Sequence, residues 1–176
     1  MRICEHDSNF CLYDNGKVKY HKVERKTGIK HDALDNLWEW EFVLRRHFGL
    51  TPEDLDEICI VFDPWRHGFG YAQPVYPAQI VNVIPNAKCQ VWWLNHHLAH
   101  ALSYNSFLEK EPDVAIVIDG FGDINVSWSV FRDDKIVSQG IMPNDPSFGH
   151  AYSKIAEYLN VQGHGLDISG KLMGLQ

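Results

Sequence analysis

Positive charge is scarce in this chain: 16 Lys and Arg stand against 23 Asp and Glu, a formal net charge of -7. Free-standing readers of a phosphate backbone concentrate cations to release counterions, so direct nucleic-acid binding is not indicated. Cysteine is sparse too. Cys4, Cys11, Cys59 and Cys89 form no CxxC pair and no evenly spaced framework, which argues against zinc knuckles and disulfide scaffolds and predicts buried thiols. No apolar run approaches the ~18 residues that cross a bilayer. The first residues carry Arg2, Glu5, His6 and Asp7 in place of the apolar core of an export signal. A soluble, cytoplasmic protein with no membrane partner is expected. Internal repeats and low-complexity tracts are also missing.

What is present suits one ordinary core. With 45% apolar and 12% aromatic residues, a chain of this size buries roughly two-thirds of its unfolded surface. Arg2–Cys4, Phe10–Tyr13 and Lys17–Lys22 have strand character, and Asp14-Asn15-Gly16 is the turn of a hairpin because Asn and Gly accept positive φ. Leu37, Trp40, Leu44 and Phe48 recur at helical spacing, with Gly49 placed to cap the helix. Thr51-Pro52-Glu53-Asp54 starts a short helix that leads into a strand at Ile58–Phe62. Asp63–Ala78 reads as an ordered loop. A strand at Gln90–Leu94, a helix at Asn95–Leu108, a doubly buried strand at Val114–Ile118, a hairpin of Val126–Phe131 with Lys135–Ile141, and a helix at Ala151–Leu159 complete the pattern. The order is that of a mixed α/β domain, and the chain is expected to stop within it.

Asn95-His96-His97-Leu98-Ala99-His100 carries the clearest chemistry. On a helix, His96 and His100 share one face and can ligate a single metal, while His97 points elsewhere. Taken alone, the run is equally well a polar helix start. Asp119 follows an apolar strand, where α/β domains place ligand-facing groups. Two imidazoles and a carboxylate suit iron(II) or another divalent first-row ion, zinc included. The glycines of Asp119-Gly120-Phe121-Gly122-Asp123 permit a backbone nest for phosphate, and equally an ordinary hairpin turn. Glu5-His6-Asp7-Ser8 and the segment from Val23 to Asp32 read as solvated loops.

The order of these pieces resembles the O-carbamoyltransferases of NodU, CmcH and TobZ type, which act in nodulation and antibiotic biosynthesis. The resemblance rests on His-Asp-Ser after the first strand, Glu-Arg-x-x-Gly-Ile-Lys-His-Asp, His-His-Leu-Ala-His-Ala, Ile-Asp-Gly-Phe-Gly-Asp and Gly-Lys-Leu-Met-Gly-Leu, and spans nearly the whole chain. It implies the first lobe of an actin-like, ribonuclease-H-like domain, a mixed sheet with flanking helices. Residues 1–176 would be the amino-terminal portion of the transferase domain, without the YrdC-like domain that makes carbamoyl-adenylate from carbamoyl phosphate and ATP. By the same resemblance His96, His100 and Asp119 would bind Fe(2+). Gly120, Phe121, Gly122 and Lys171 would meet the nucleotide. His6 and Lys30 would line the carbamoyl pocket, with His6 a candidate base for the acceptor hydroxyl. Asp123 departs from the glutamate usual in the family, and Gln176 from its alanine.

The implied activity is transfer of a carbamoyl group to a small hydroxyl-bearing acceptor, with this chain inactive alone in the full reaction. Either the chain is an excised part of a longer enzyme or it is a short homologue whose missing domain comes from a separate chain, and self-association is a further expectation that would cover the raw edge of the lobe. The alternative is a non-catalytic relative that binds a nucleotide or a partner protein. A metallohydrolase built on His96, His100 and Asp119 lacks an obvious further base.

Overall fold

Asn15 and Gly16 both take positive φ, 47° and 79°, and the turn they form folds β1 (Asn9–Asp14) back onto β2 (Lys17–Lys22) with Phe10 opposite His21. A computed structural model describes residues 7–62, 78–119, 126–141, 148–163 and 166–174 of the chain. It divides into two compact units, Met1–Ala99 and His100–Gln176.

In the first unit β2 runs directly into α1 (Val23–Thr27), a single turn that lies inside a segment patterned as a loop. The helical periodicity around Trp40 corresponds to α2 (Glu39–Val43), which continues in a wider π turn over Leu44–Phe48. Gly49 ends that turn at φ 72°, a left-handed value that costs a residue with a Cβ more than glycine. Thr51 and Asp54 form a reciprocal capping box around the short 3-10 turn Pro52–Asp54. The chain then enters β3 (Glu57–Ile60), which pairs in parallel with β5 (Gln90–Leu94). β4 (Ala78–Ile80) pairs antiparallel on the far side of β5.

Alternate residues of β3 and β5, Ile58, Ile60, Val91 and Trp93, face one core with Phe10, Trp40, Val43, Leu44 and Phe62. The two indoles are also anchored through their polar edges. Trp40 Nε1–H donates to the Pro85 carbonyl at 2.9 Å, and Trp93 Nε1–H to the Phe62 carbonyl at 3.0 Å. This is how a large aromatic is buried without leaving its one polar atom unpaired.

The second unit holds the end of α3 (His96–Ala101), which continues as a 3-10 turn over Leu102–Ser106. It also holds an antiparallel sheet in the order β6 (Ala115–Ile118), β7 (Trp128–Arg132), β8 (Lys135–Gly140). Gly140 lies opposite Trp128, and a Cβ there would come within 2.9 Å of the indole. Two helices follow, α4 (Phe148–Tyr158) and α5 (Leu166–Met173).

The mixed α/β class therefore holds, as do both hairpins and most of the helices, although β4, α1 and α5 carried no sequence signal that was recognised. Two expectations fail. β6 is not buried on both faces: Val117 is buried, while Ile116 and Ile118 are 67% and 46% exposed. Antiparallel sheets cover one face and leave the other open, whereas a doubly buried strand belongs to a parallel sheet with helices on both sides. Of the cysteines, Cys11 and Cys59 are exposed and Cys89 is half-buried; Cys59 alternates with Ile58 and Ile60 and so falls on the outer face of β3. The strand at Arg2–Cys4, with Cys4, and most of the loop at Asp63–Ala78 lie outside the described residues. No helix among the described residues is long and apolar enough to cross a membrane.

Removing the Trp93 indole should be the most disruptive single change in the first unit. Trp93→Ala is expected to cost about 3–5 kcal/mol in urea denaturation through lost burial and a cavity. Trp93→Phe, which keeps most of the volume but removes the Nε1–H bond to the Phe62 carbonyl, should cost less, about 0.5–1.5 kcal/mol.

Candidate metal centre

Trp93 is buried on β5, and the strand ends one residue later at Leu94. Asn95, itself 3% exposed, then caps the helix that follows: its Oδ1 accepts the Leu98 N–H at 3.1 Å and its carbonyl accepts the Ala99 N–H at 3.0 Å. An Asn immediately before the first helical residue satisfies an N–H that no earlier carbonyl can reach. α3 is thereby started at His96, and the helical repeat sets His96 and His100 on one face a turn apart. His97 points inward and is 1% exposed, so the divergence expected of the middle histidine is met.

Asp119 stands just beyond β6, its N–H bonded to the Ser127 carbonyl at 3.0 Å where the sheet hands over to the next strand. Its Oδ2 lies 3.5 Å from His100 Nε2. Two ligands of one first-row ion, each about 2.1 Å from it, are separated by roughly 3.0–3.4 Å at octahedral to tetrahedral angles. The observed spacing is therefore close to what shared coordination needs. His100 and Asp119 side chains are 54% and 33% exposed, which leaves them reachable from solution. Together with Ile116, Val117 and Ile118 they line an open recess of about 250 Å³. An imidazole, a carboxylate and an apolar floor on one recess can hold a cation with coordination positions to spare and a small organic ligand beside it.

His6, Gly120, Phe121 and Gly122 lie outside the described residues. Lys30 is exposed on the loop after α1. Lys171 sits on α5, where its Nζ donates to the Gln162 carbonyl at 2.8 Å.

The two segments that patterning assigns to solvated loops meet instead. Ser8 N–H donates to the Asp32 carbonyl at 3.1 Å, and Ser8 Oγ, fully buried, accepts the Leu34 N–H at 3.1 Å. Asp7 and His31, both left-handed at φ 62° and 58°, bring Asp7 Oδ2 to 2.9 Å from His31 Nδ1. Lys22 Nζ closes the group at 2.9 Å from Asp7 and 3.2 Å from Glu24, whose Oε2 accepts the His31 N–H at 2.8 Å. Asp7, Glu24 and His31 also offer atoms in ligand-like proximity. Lys22, however, already occupies both carboxylates, and the arrangement is an ionic clasp that holds the loop 28–32 to the start of β1. Charged residues within two separate loops gave no pattern that would pair them; only the strands between them set their distance.

No protein-family model and no solved structure matches the chain.

The clasp makes stability depend on pH in a definite sense. The His31 N–H and then Lys22 hold the Glu24 carboxyl below its usual range, so its contribution is present at neutral pH and lost as pH falls through that range. Asp7 and then Glu24 raise the Lys22 ammonium, whose contribution is lost only as pH rises through the lysine range. The difference in melting temperature between the wild type and Glu24→Gln should therefore be steady near neutrality and vanish in acid. Exchange of the His31 amide should be faster in the variant at pH 7.

Proposed function

We propose that this chain carries part of the carbamoyl-transfer site of an O-carbamoyltransferase, set in an actin-like, ribonuclease-H-like lobe. The observation that carries the reading is the pairing of His100 with Asp119 at 3.5 Å beside an open recess, with His96 one turn away on the same helix. The order of motifs along the chain supports it independently.

In this reading His96, His100 and Asp119 hold a divalent ion, Fe(2+) by the family resemblance, and the donor set of two imidazoles and one carboxylate fits it. Such an ion, when bound, draws negative charge from a carbamoyl oxygen. The rest of the chemistry belongs to the chain. The carbamoyl carbon is attacked by an acceptor hydroxyl whose proton passes to an imidazole, for which His6 is our candidate. The bond from that carbon to the adenylate oxygen breaks, and AMP leaves. Lys30 orients the carbamoyl group. Gly120, Phe121, Gly122 and Lys171 meet the nucleotide, Lys171 giving up its Gln162 bond to do so.

Anaerobic titration calorimetry of the chain with iron(II) tests the centre. The wild type is expected to bind one ion, and His96→Ala/His100→Ala to bind it at least about 100-fold more weakly, since loss of outer partners alone costs 10–100-fold. Asp119→Asn should weaken binding while leaving the fold intact by circular dichroism. Absence of binding in every form would sink the metal reading and favour a non-catalytic relative that holds a nucleotide or partner protein.

A further inference from the structure

A second feature of the first unit lies apart from this chemistry. His21 on β2 and His47 in the π turn stack with ring centroids 3.7 Å apart and planes inclined by 20°. The charged groups acting on the two rings are all positive. His47 and Lys26 act on His21; Lys26 and Arg46 act on His47. Burial first, and then these neighbours, hold both imidazoles below the usual histidine range.

An acidic chain has carboxylates to spare, yet those on the surrounding elements are committed elsewhere. Glu24 is bonded to Lys22 and to the His31 N–H. Glu41 is engaged by Asn86 at 2.7 Å and by Arg45 at 3.9 Å. Glu39 accepts from Asn36, and Asp14 from Asn15. Arg46 is steadied over the Phe42 ring, 5.9 Å from its centroid, so its guanidinium has a place without an acidic partner. Lys26 of α1 and Arg46 of the π turn thus act electrostatically on the stacked pair, and among the described residues no carboxylate forms an ion pair with any of the four.

Like charges brought together cost free energy unless something neutralises them. A stacked imidazole pair within electrostatic reach of an ammonium and a guanidinium can offer several N–H donors to a compact anion, and phosphate oxygens form their strongest hydrogen bonds to such donors. We propose that His21, His47, Lys26 and Arg46 form a binding site for a phosphate group. The site does not depend on the His100 and Asp119 recess being a metal centre. Its ligand is a small phosphate-bearing molecule or inorganic phosphate, not a long polyanion, because the chain as a whole carries a net charge of -7.

Histidine side-chain NMR tests this on the intact chain, titrated from pH 5 to pH 8 in inorganic phosphate and in chloride of equal ionic strength. Phosphate is expected to raise the titration midpoints of His21 and His47 by about one unit each, which corresponds to about tenfold tighter binding for each proton taken up. His96 should not follow. The double variant Lys26→Gln/Arg46→Gln, both exposed positions, should keep the ring stack and lose most of the phosphate-dependent rise. Repeating the titration with adenosine monophosphate and with adenosine separates the sources: a rise with the monophosphate well beyond that with inorganic phosphate identifies a nucleotide, and equal rises identify the phosphate alone. Midpoints that are the same in phosphate and chloride, or a rise undiminished in the double variant, would overturn the proposal and leave a packed, neutral imidazole pair.

Discussion

The parallel pairing of β3 with β5 is the constraint on which the first unit depends. It buries Ile58 and Ile60 beside Val91 and Trp93 and leaves the outer positions, Cys59 among them, to solvent. Burial of side chains this large contributes more than any single polar contact in the unit. The Trp93 indole, bonded to the Phe62 carbonyl, fixes the depth at which β5 ends. Asn95 is buried immediately afterwards and caps α3, so the core decides where the histidine helix begins and therefore which faces His96, His97 and His100 take. The placement of these candidate ligands is here a consequence of apolar packing one strand upstream.

Charge is organised around that core in two contrasting ways. At the start of β1, opposite charges close on one another: Lys22 joins Asp7 and Glu24, and His31 completes the ring. Such groups are partly open to water, so their energetic contribution is modest and their effect is mainly to hold a loop in one register. At the His21 and His47 stack, two imidazoles lie together under the influence of Lys26 and Arg46, while Glu41 is engaged by Arg45. Neutralised clusters tie chain segments together, whereas unneutralised ones leave potential at the surface that a ligand can use.

Several elements were legible because their signals are local. Asn15-Gly16 dictates a tight hairpin, Gly49 a left-handed helix end, and Thr51-Pro52-Glu53-Asp54 a capped turn, and each takes the form its residues favour. The strand Gln90–Leu94 and the histidine helix follow from alternation and helical spacing. β4 was hidden by its length of three residues, α1 by its charge, and α5 by its glycine-containing sequence. β6 was misjudged for a different reason: an apolar run reports that a strand exists, not how many of its faces find a cover.

By itself, then, the sequence determined the mixed α/β class, the hairpins and the shared helical face of His96 and His100, since all of these arise from interactions within a few residues. Only the tertiary structure decided that Asp119 reaches His100, that Asp7 and Lys22 close on Glu24 and His31, and that His21 stacks on His47. Those distances depend on how strands far apart in the chain pair and pack, and no local propensity encodes them.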